Sequence, residues 1–471
     1  MGRDREHRQR HGRDHDRRPP RPRAPDRGLH AAPADPPGAG GIRCASLSGS
    51  DEAPGAHRLR AEGGSRGRSA RHVRVVSRVA RARAAVSQPI PNAVPCLRGN
   101  EWLYLKECLD SNWVSSVGPF VERFERALAS WVGVRHGVAT VNGTAALHVA
   151  LLVASVDSGD EVIVPTLTFA ATANAVRYCG AVPVFVDSEP RTWTVDPQKV
   201  TDFLARECDV RGDRVVNRAT GRRVRAILPV HLYGHPVDLD PFLELAARLP
   251  LALVEDSAEA LGALYKGRRV GAHGLAGCLS FNGNKVITSG GGGMILTDDD
   301  AFARRAHHLT QQAREPGPEW IHREVGFNYR LTNIQAAIGV AQVEQLEGFL
   351  ASKRETARAY DAALAALGGA EPLREAPWAS SSFWMYSTLL DPGIYGDTRA
   401  LIARGNAAGI QLRPLWHPLH RQPAFAEQQA YRIEVADHLS ARGMSLPCSV
   451  GITAEERERV IAFLAGARDH R

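Results

Sequence analysis

Five short apolar runs rich in β-branched residues recur between amphipathic stretches, at Gly137–Val141, Glu161–Pro165 (EVIVP), Ala181–Asp187 (AVPVFVD), Ala226–Val230 (AILPV) and Leu251–Glu255 (LALVE). Helical patterns separate them at Gly143–Ala154, Ala170–Cys179 and Asp240–Arg248, and two more precede them at Glu101–Ser111 and Pro119–Trp131. Runs this short and this uniformly apolar have both faces covered, and strands alternating with helices give a mostly parallel sheet wrapped by helices. The class is α/β, and ligands of such sheets sit at the carboxyl ends of the strands. The polar, Gly-rich segments of this chain fall at those ends.

Past Ile334 the texture changes. Ile334–Leu364 reads as one long helix with apolar residues at heptad-like spacing (Ile338, Val343, Leu346, Phe349, Leu350). The expected organisation is a large domain over 89–344 and a smaller C-terminal α+β domain over 345–471. Residues 1–88 differ in kind. They hold 20 Arg, no Lys and 9 acidic residues, net +11, which leaves 39 basic and 42 acidic residues in the remainder, net −3. The overall charge of +8 therefore belongs to the extension, and the body carries no basic stripe for nucleic acid. The extension is too poor in aromatic and β-branched residues to offset its ordering entropy, and it has no apolar core of a secretory signal. It admits three readings: a disordered basic tail, a nucleic-acid-binding arm, or sequence translated from a start codon placed too far upstream.

No stretch approaches the ~18 apolar residues of a membrane span. The seven cysteines form no C-x-x-C pair and are odd in number, which speaks against a disulfide framework or a zinc site and for a reducing cytoplasm. No metal site is expected.

Four segments carry chemistry. In V-N-G-T-A-A-L-H (141–148) a strand ends and a helix begins. Unpaired first-turn amides, the approach allowed by Gly143 and the Thr144 hydroxyl make a phosphate cup, unless Thr144 only caps the helix. In T-F-A-A-T-A-N-A-V (168–176), Phe169 follows a strand end, placed to stack on a flat ring or to fill the core. In L-V-E-D-S-A-E-A-L-G (253–262), Asp256 ends a strand, and a carboxylate buried there needs a cation, whether a pyridinium nitrogen or a structural Arg. In C-L-S-F-N-G-N-K-V-I-T-S-G-G-G-G-M (278–294), Lys285 stands alone in a small, glycine-rich loop that lacks the order of a Walker motif. A partly desolvated lysine has a lowered pKa and can form a Schiff base. Taken together, the phosphate cup, aromatic, strand-end Asp and loop Lys are the complement of pyridoxal 5′-phosphate.

The motifs NGTAALH, GDEVIVP, TFAATANA, VEDSAEALG, SFNGNK and GFNYRLTNIQAAIG resemble, in combination, the sugar aminotransferases of the DegT/DnrJ/EryC1/StrS family, over the body from about 89 to 471. The resemblance implies the PLP-dependent transferase fold type I and a homodimer whose active sites are shared between subunits. It implies that Ser280 is a second phosphate ligand and that Asn328 of GFNYR reaches the partner subunit's phosphate. Glu259 stands where many members have Gln near the cofactor's 3-hydroxyl. FNGNKVITSGGGG, the 215–226 segment (a hairpin by pattern) and R-P-L-W-H-P-L-H (413–420) are similar to LegC-like and PglE-like enzymes of legionaminic acid and bacillosamine pathways.

The implied reaction moves the amino group of L-glutamate to C4 of a nucleotide-linked keto-sugar, expected to be UDP-2-acetamido-2,6-dideoxy-4-keto-hexose. Arg413 and His420 are the expected substrate residues, Arg413 as a fork for the diphosphate unless it pairs with an acidic neighbour. The alternatives are a GDP- or dTDP-keto-sugar aminotransferase of perosamine type and a PLP-dependent sugar dehydratase. The dehydratases carry His in place of the lysine, so Lys285 speaks for transamination.

Overall fold

The structure, a computed structural model, describes residues 88–468. The extension read from residues 1–88 lies, apart from its last position, outside the described residues. The central sheet runs in space His136–Thr140, Gly293–Thr297, Ala276–Ser280, Ala252–Asp256, Arg223–Ile227, Glu161–Pro165, Val182–Val186 and Ala430–Tyr431. Gly293–Thr297 is antiparallel to both its neighbours, and every later neighbouring pair along this order is parallel. EVIVP, VPVFV and ALVED are buried at every position, as strands covered on both faces must be. The register sets Asp256 opposite Cys278, so that Ser280 ends its strand just beyond Asp256.

Two expectations about elements are corrected. The run at Ala226–Val230 is a strand over Arg223–Ile227 instead. Pro229 has no N–H to give to a ladder, and its carbonyl accepts the Asp256 N–H after the strand has ended. The single long helix is two, Asn333–Val343 and Leu346–Leu367. Buried Glu101 accepts Gln342 Nε2 at 2.6 Å and Gln345 Nε2 at 2.9 Å, pinning the break from outside the run. The expected hairpin forms between Arg214–Asn217 and Arg223–Ile227, and Cys208–Arg211 adds a further antiparallel strand.

The C-terminal residues build an antiparallel sheet in the order Ala370–Pro372, Tyr386–Leu390, Gly443–Leu446, Arg413–Pro414. The Leu346–Leu367 and Ala454–Gly466 helices pack against each other beside it, burying Tyr360, Leu364, Val460 and Leu464. Two ties bind this part to the central sheet. Ala430–Tyr431 forms its edge strand. Asp187, just past the Val182–Val186 strand and fully buried, accepts the backbone N–H groups of Glu434, Val435 and Ala436, each at 2.8 Å, and Lys199 Nζ at 2.7 Å. Among the described residues no helix is long and apolar enough to cross a membrane.

Candidate active site

A cleft of about 210 Å³ opens at the carboxyl ends of the parallel strands. It gathers Gly143, Thr144, Phe169, Asp256, Glu259, Ser280 and Lys285, seven residues picked from four separate sequence segments. A larger cavity of about 580 Å³, between Trp193 and Trp378, shares no lining residue with it.

The floor is the start of the Gly143–Val153 helix. Its cap is Asn142, whose side chain accepts the Ala145 N–H at 2.8 Å, so Thr144 is not the cap, and Thr144 lines the cleft. First-turn amides of a helix have no intrahelical acceptor and carry the positive end of the helix dipole. A Cβ added at Gly143 would stand 2.8 Å from the Ser280 Cβ, so only glycine lets the helix start sit this close to the serine. Helix amides, a threonine and a serine thus converge as donors for an anion.

Asp256 ends its strand inside the protein. Thr172 Oγ1 donates to its carboxylate at 2.8 Å, and the Ala258 N–H at 3.1 Å. No arginine is among its partners in the described residues, which removes the structural-Arg reading. Burial pushes the Asp256 carboxyl up, against these two bonds and the Lys285 charge. Glu259 is also buried, accepts the Tyr233 N–H at 2.8 Å, and is pushed up to about 7 by burial, against the Lys285 charge. Lys285 is half-buried; loss of solvent pushes its ammonium down, against the attraction of Glu259 and Asp256. Two buried carboxyls share one ammonium, so the cleft is short of positive charge on the Asp256 side.

Phe169 is 53% exposed, which excludes the core-aromatic reading. Its ring lies 5.2 Å from Trp416 across the cleft mouth. Trp384 and Trp416 line the cleft and were not picked from the sequence. Lys285 Nζ lies 3.9 Å from the centre of the Trp384 ring, whose Nε1–H donates to the Asn284 carbonyl at 2.6 Å. Tyr233, Trp384 and Trp416 form a near-parallel trio, with ring centres 6.5, 6.1 and 6.5 Å apart, and the Tyr233 hydroxyl accepts the Trp416 backbone N–H at 2.8 Å. The only sequence signal for Trp416 was its place inside RPLWHPLH; Trp384 sits in SSFWMYS, which carries none.

Three expected residues lie elsewhere. His420 does not line the cleft: its Nδ1 bonds Thr166 Oγ1 at 2.7 Å and its Nε2 stands 3.6 Å from Asp437. Arg413 lies in the small sheet with its backbone paired to Ser445, half-buried, outside the cleft lining and without an acidic partner among the described residues. Asn328 is exposed, bridged to Gln311, and does not line the cleft of its own chain.

The lining fits pyridoxal 5′-phosphate. One cleft gathers anion donors, a buried carboxylate with no arginine partner among the described residues, an amine and aromatic faces.

The sequence profile of the DegT/DnrJ/EryC1/StrS aminotransferase family matches residues 95–465. GDP-perosamine synthase of Caulobacter vibrioides is 42% identical over 374 residues, 79% of this chain and 96% of that protein. GDP-perosamine synthase of Escherichia coli O157:H7 is 38% identical over 369 residues, 78% of this chain and 95% of that protein. Among solved structures, a DegT DnrJ EryC1 StrS aminotransferase from Brucella abortus superposes with a TM-score of 0.72 at 27% identity, covering 79% of this chain and 95% of that one.

Proposed function

Because the chain belongs to the DegT/DnrJ/EryC1/StrS aminotransferase family, we propose that it transfers the amino group of L-glutamate to C4 of a GDP-linked 4-keto-6-deoxyhexose, the perosamine-type reaction. The observation that carries the choice of sugar carrier is the likeness, over more than nine-tenths of their lengths, to two GDP-perosamine synthases. The UDP-linked N-acetylhexosamine expected from the FNGNK loop gives way to this reading, and with it the nearer kinship to LegC-like and PglE-like enzymes.

The sugar aminotransferases of this family depend on pyridoxal 5′-phosphate. When bound, the cofactor supplies an aldehyde that exchanges for an amine and a ring that takes up carbanion charge. In this chain Gly143, Thr144 and Ser280 would hold its phosphate, and Phe169 would face its ring. Asp256 would keep a ring nitrogen protonated, an assignment supported by its burial without a cation in contact. Glu259 would stand near the ring's polar edge, its carboxyl oriented by the Tyr233 N–H. Lys285 would anchor the aldehyde and carry the proton at Nζ, whose proton affinity burial pushes below the ordinary lysine range. Trp384 covers that nitrogen.

A homodimer belongs to the same reading. Trp102, Leu103 and Val117, each more than half exposed, offer apolar surface to a second copy, and Asn328 is accessible to one.

The test offers GDP-, UDP- and dTDP-linked 4-keto-6-deoxy sugars with L-glutamate and follows 2-oxoglutarate release. The GDP sugar should win by at least about tenfold in kcat/KM, ~1.4 kcal/mol. Preference for the UDP or dTDP sugar would replace the carrier. Lys285→Ala should abolish turnover with the fold retained, since the side chain fills no core space; undiminished turnover would refute the whole assignment.

A further inference from the structure

Lys353 is a buried cation that the reaction above does not use. It lies on the Leu346–Leu367 helix, 4% exposed, with no carboxylate partner among the described residues. Its Nζ donates to two backbone carbonyls, Cys448 at 2.8 Å and Trp384 at 3.1 Å. A buried ammonium satisfied only by carbonyls costs stability relative to an apolar side chain of the same length. Burial accordingly pushes its ammonium down.

What the charge holds is one particular residue. Trp384 is fixed at both ends: its carbonyl by Lys353 and, at 3.4 Å, by the Cys448 thiol, and its indole N–H by the Asn284 carbonyl. Between these anchors its ring face covers Lys285 Nζ. Asn284 is the residue before Lys285, so the same indole sets both the loop that carries the lysine and the wall that shields it.

We propose that Lys353 is a positioning residue for Lys285: by clamping the Trp384 carbonyl against the end of the small sheet, it holds the indole over the reacting nitrogen. This rests on Lys285 carrying the cofactor. The groups facing Lys285 are Asp256 and Glu259, both attractive, and the Trp384 ring. Releasing the indole admits water to the nitrogen and removes the desolvation that weakens its proton affinity.

The experiment titrates the visible absorption band of the full-length holoenzyme against pH, a reading independent of turnover. Lys353→Met keeps the length and loses the donors. Its band midpoint should rise by about one pH unit, a tenfold gain in proton affinity. Trp384→Phe, which loses the N–H to Asn284, should shift it in the same direction, and the double variant no further than the larger single. If Lys353→Met does not fold, Lys353→Gln is read instead; its shorter reach cannot span both carbonyls, and a smaller rise is expected. An unmoved midpoint in the folded Lys353 variant, or additive shifts in the double variant, would overturn the proposal. A parent holoenzyme with no titrating band would overturn the role of Lys285 as well.

Discussion

Replacing Asp187 by Ala should loosen the attachment of the C-terminal part to the central sheet. The fully buried carboxylate accepts three backbone N–H groups at the start of the Val435–Arg442 helix and the Lys199 ammonium. Hydrogen bonds to a charged group contribute about 1.5–3 kcal/mol each, so the simple sum is about 6–12 kcal/mol. That sum is too large. Glu434 is mostly exposed, so its freed amide reaches water while that of buried Ala436 does not, and Lys199 keeps the Arg432 carbonyl at 2.9 Å and the Glu434 carboxylate at 3.3 Å. The expected cost falls to the low end of breaking a buried pair, about 3 kcal/mol. Hydrogen exchange reads it locally: amides over 434–442 should lose protection about a hundredfold, at ~1.4 kcal/mol per tenfold. Burial alone would raise the Asp187 carboxyl, but Lys199 and the three amides outweigh it and hold it below the ordinary range. A depressed carboxyl stabilises the fold above its unfolded pKa of about 3.9 and loses that contribution as pH falls through the folded value. The difference between parent and variant should therefore persist from pH 8 to 5 and vanish only below about pH 4. Protection in the variant within about threefold of the parent at pH 7 would refute the clamp.

Asp256→Asn should bind cofactor and keep its thermal midpoint, because an amide can still meet Thr172 and the Ala258 N–H, while kcat falls by more than about tenfold; a smaller loss would make Asp256 structural. Glu259→Gln should change stability with pH. A carboxyl raised to about 7 in the fold favours its protonated form, so the parent loses stability as pH rises from about 4.5 through 7, and the non-titrating variant does not. In cofactor-free protein, urea midpoints should show the variant gaining about 1–3 kcal/mol on the parent between pH 5 and 8; parallel pH profiles would refute a buried neutral carboxyl.

What could be read from the chain follows contact distance. Gly143, Thr144, Phe169 and Asp256 sit where a strand meets a loop or helix, and the local pattern of apolar run then polar turn marks such junctions, whereas Ser280 came only from the family resemblance. Trp384 reaches Asn284 across 100 positions, and Trp416 reaches Tyr233 across 183. No local pattern encodes those meetings. The bond from His420 Nδ1 to Thr166, 254 positions away, is equally invisible locally. The helix break at 344–345 has no Gly or Pro to announce it, because Glu101, far upstream, holds it.

The edge strand Ala430–Tyr431 sets an order of events during synthesis. Its partner, Val182–Val186, is made some 250 residues earlier, and pairing a parallel strand over that separation is slow. Until residue 431 emerges, one margin of the central sheet presents unpaired N–H and C=O groups, a template for pairing with another chain. Nascent or truncated chains ending before it should be the aggregating species of this protein, and expression trials that trim the C-terminus should lose soluble yield abruptly at that point.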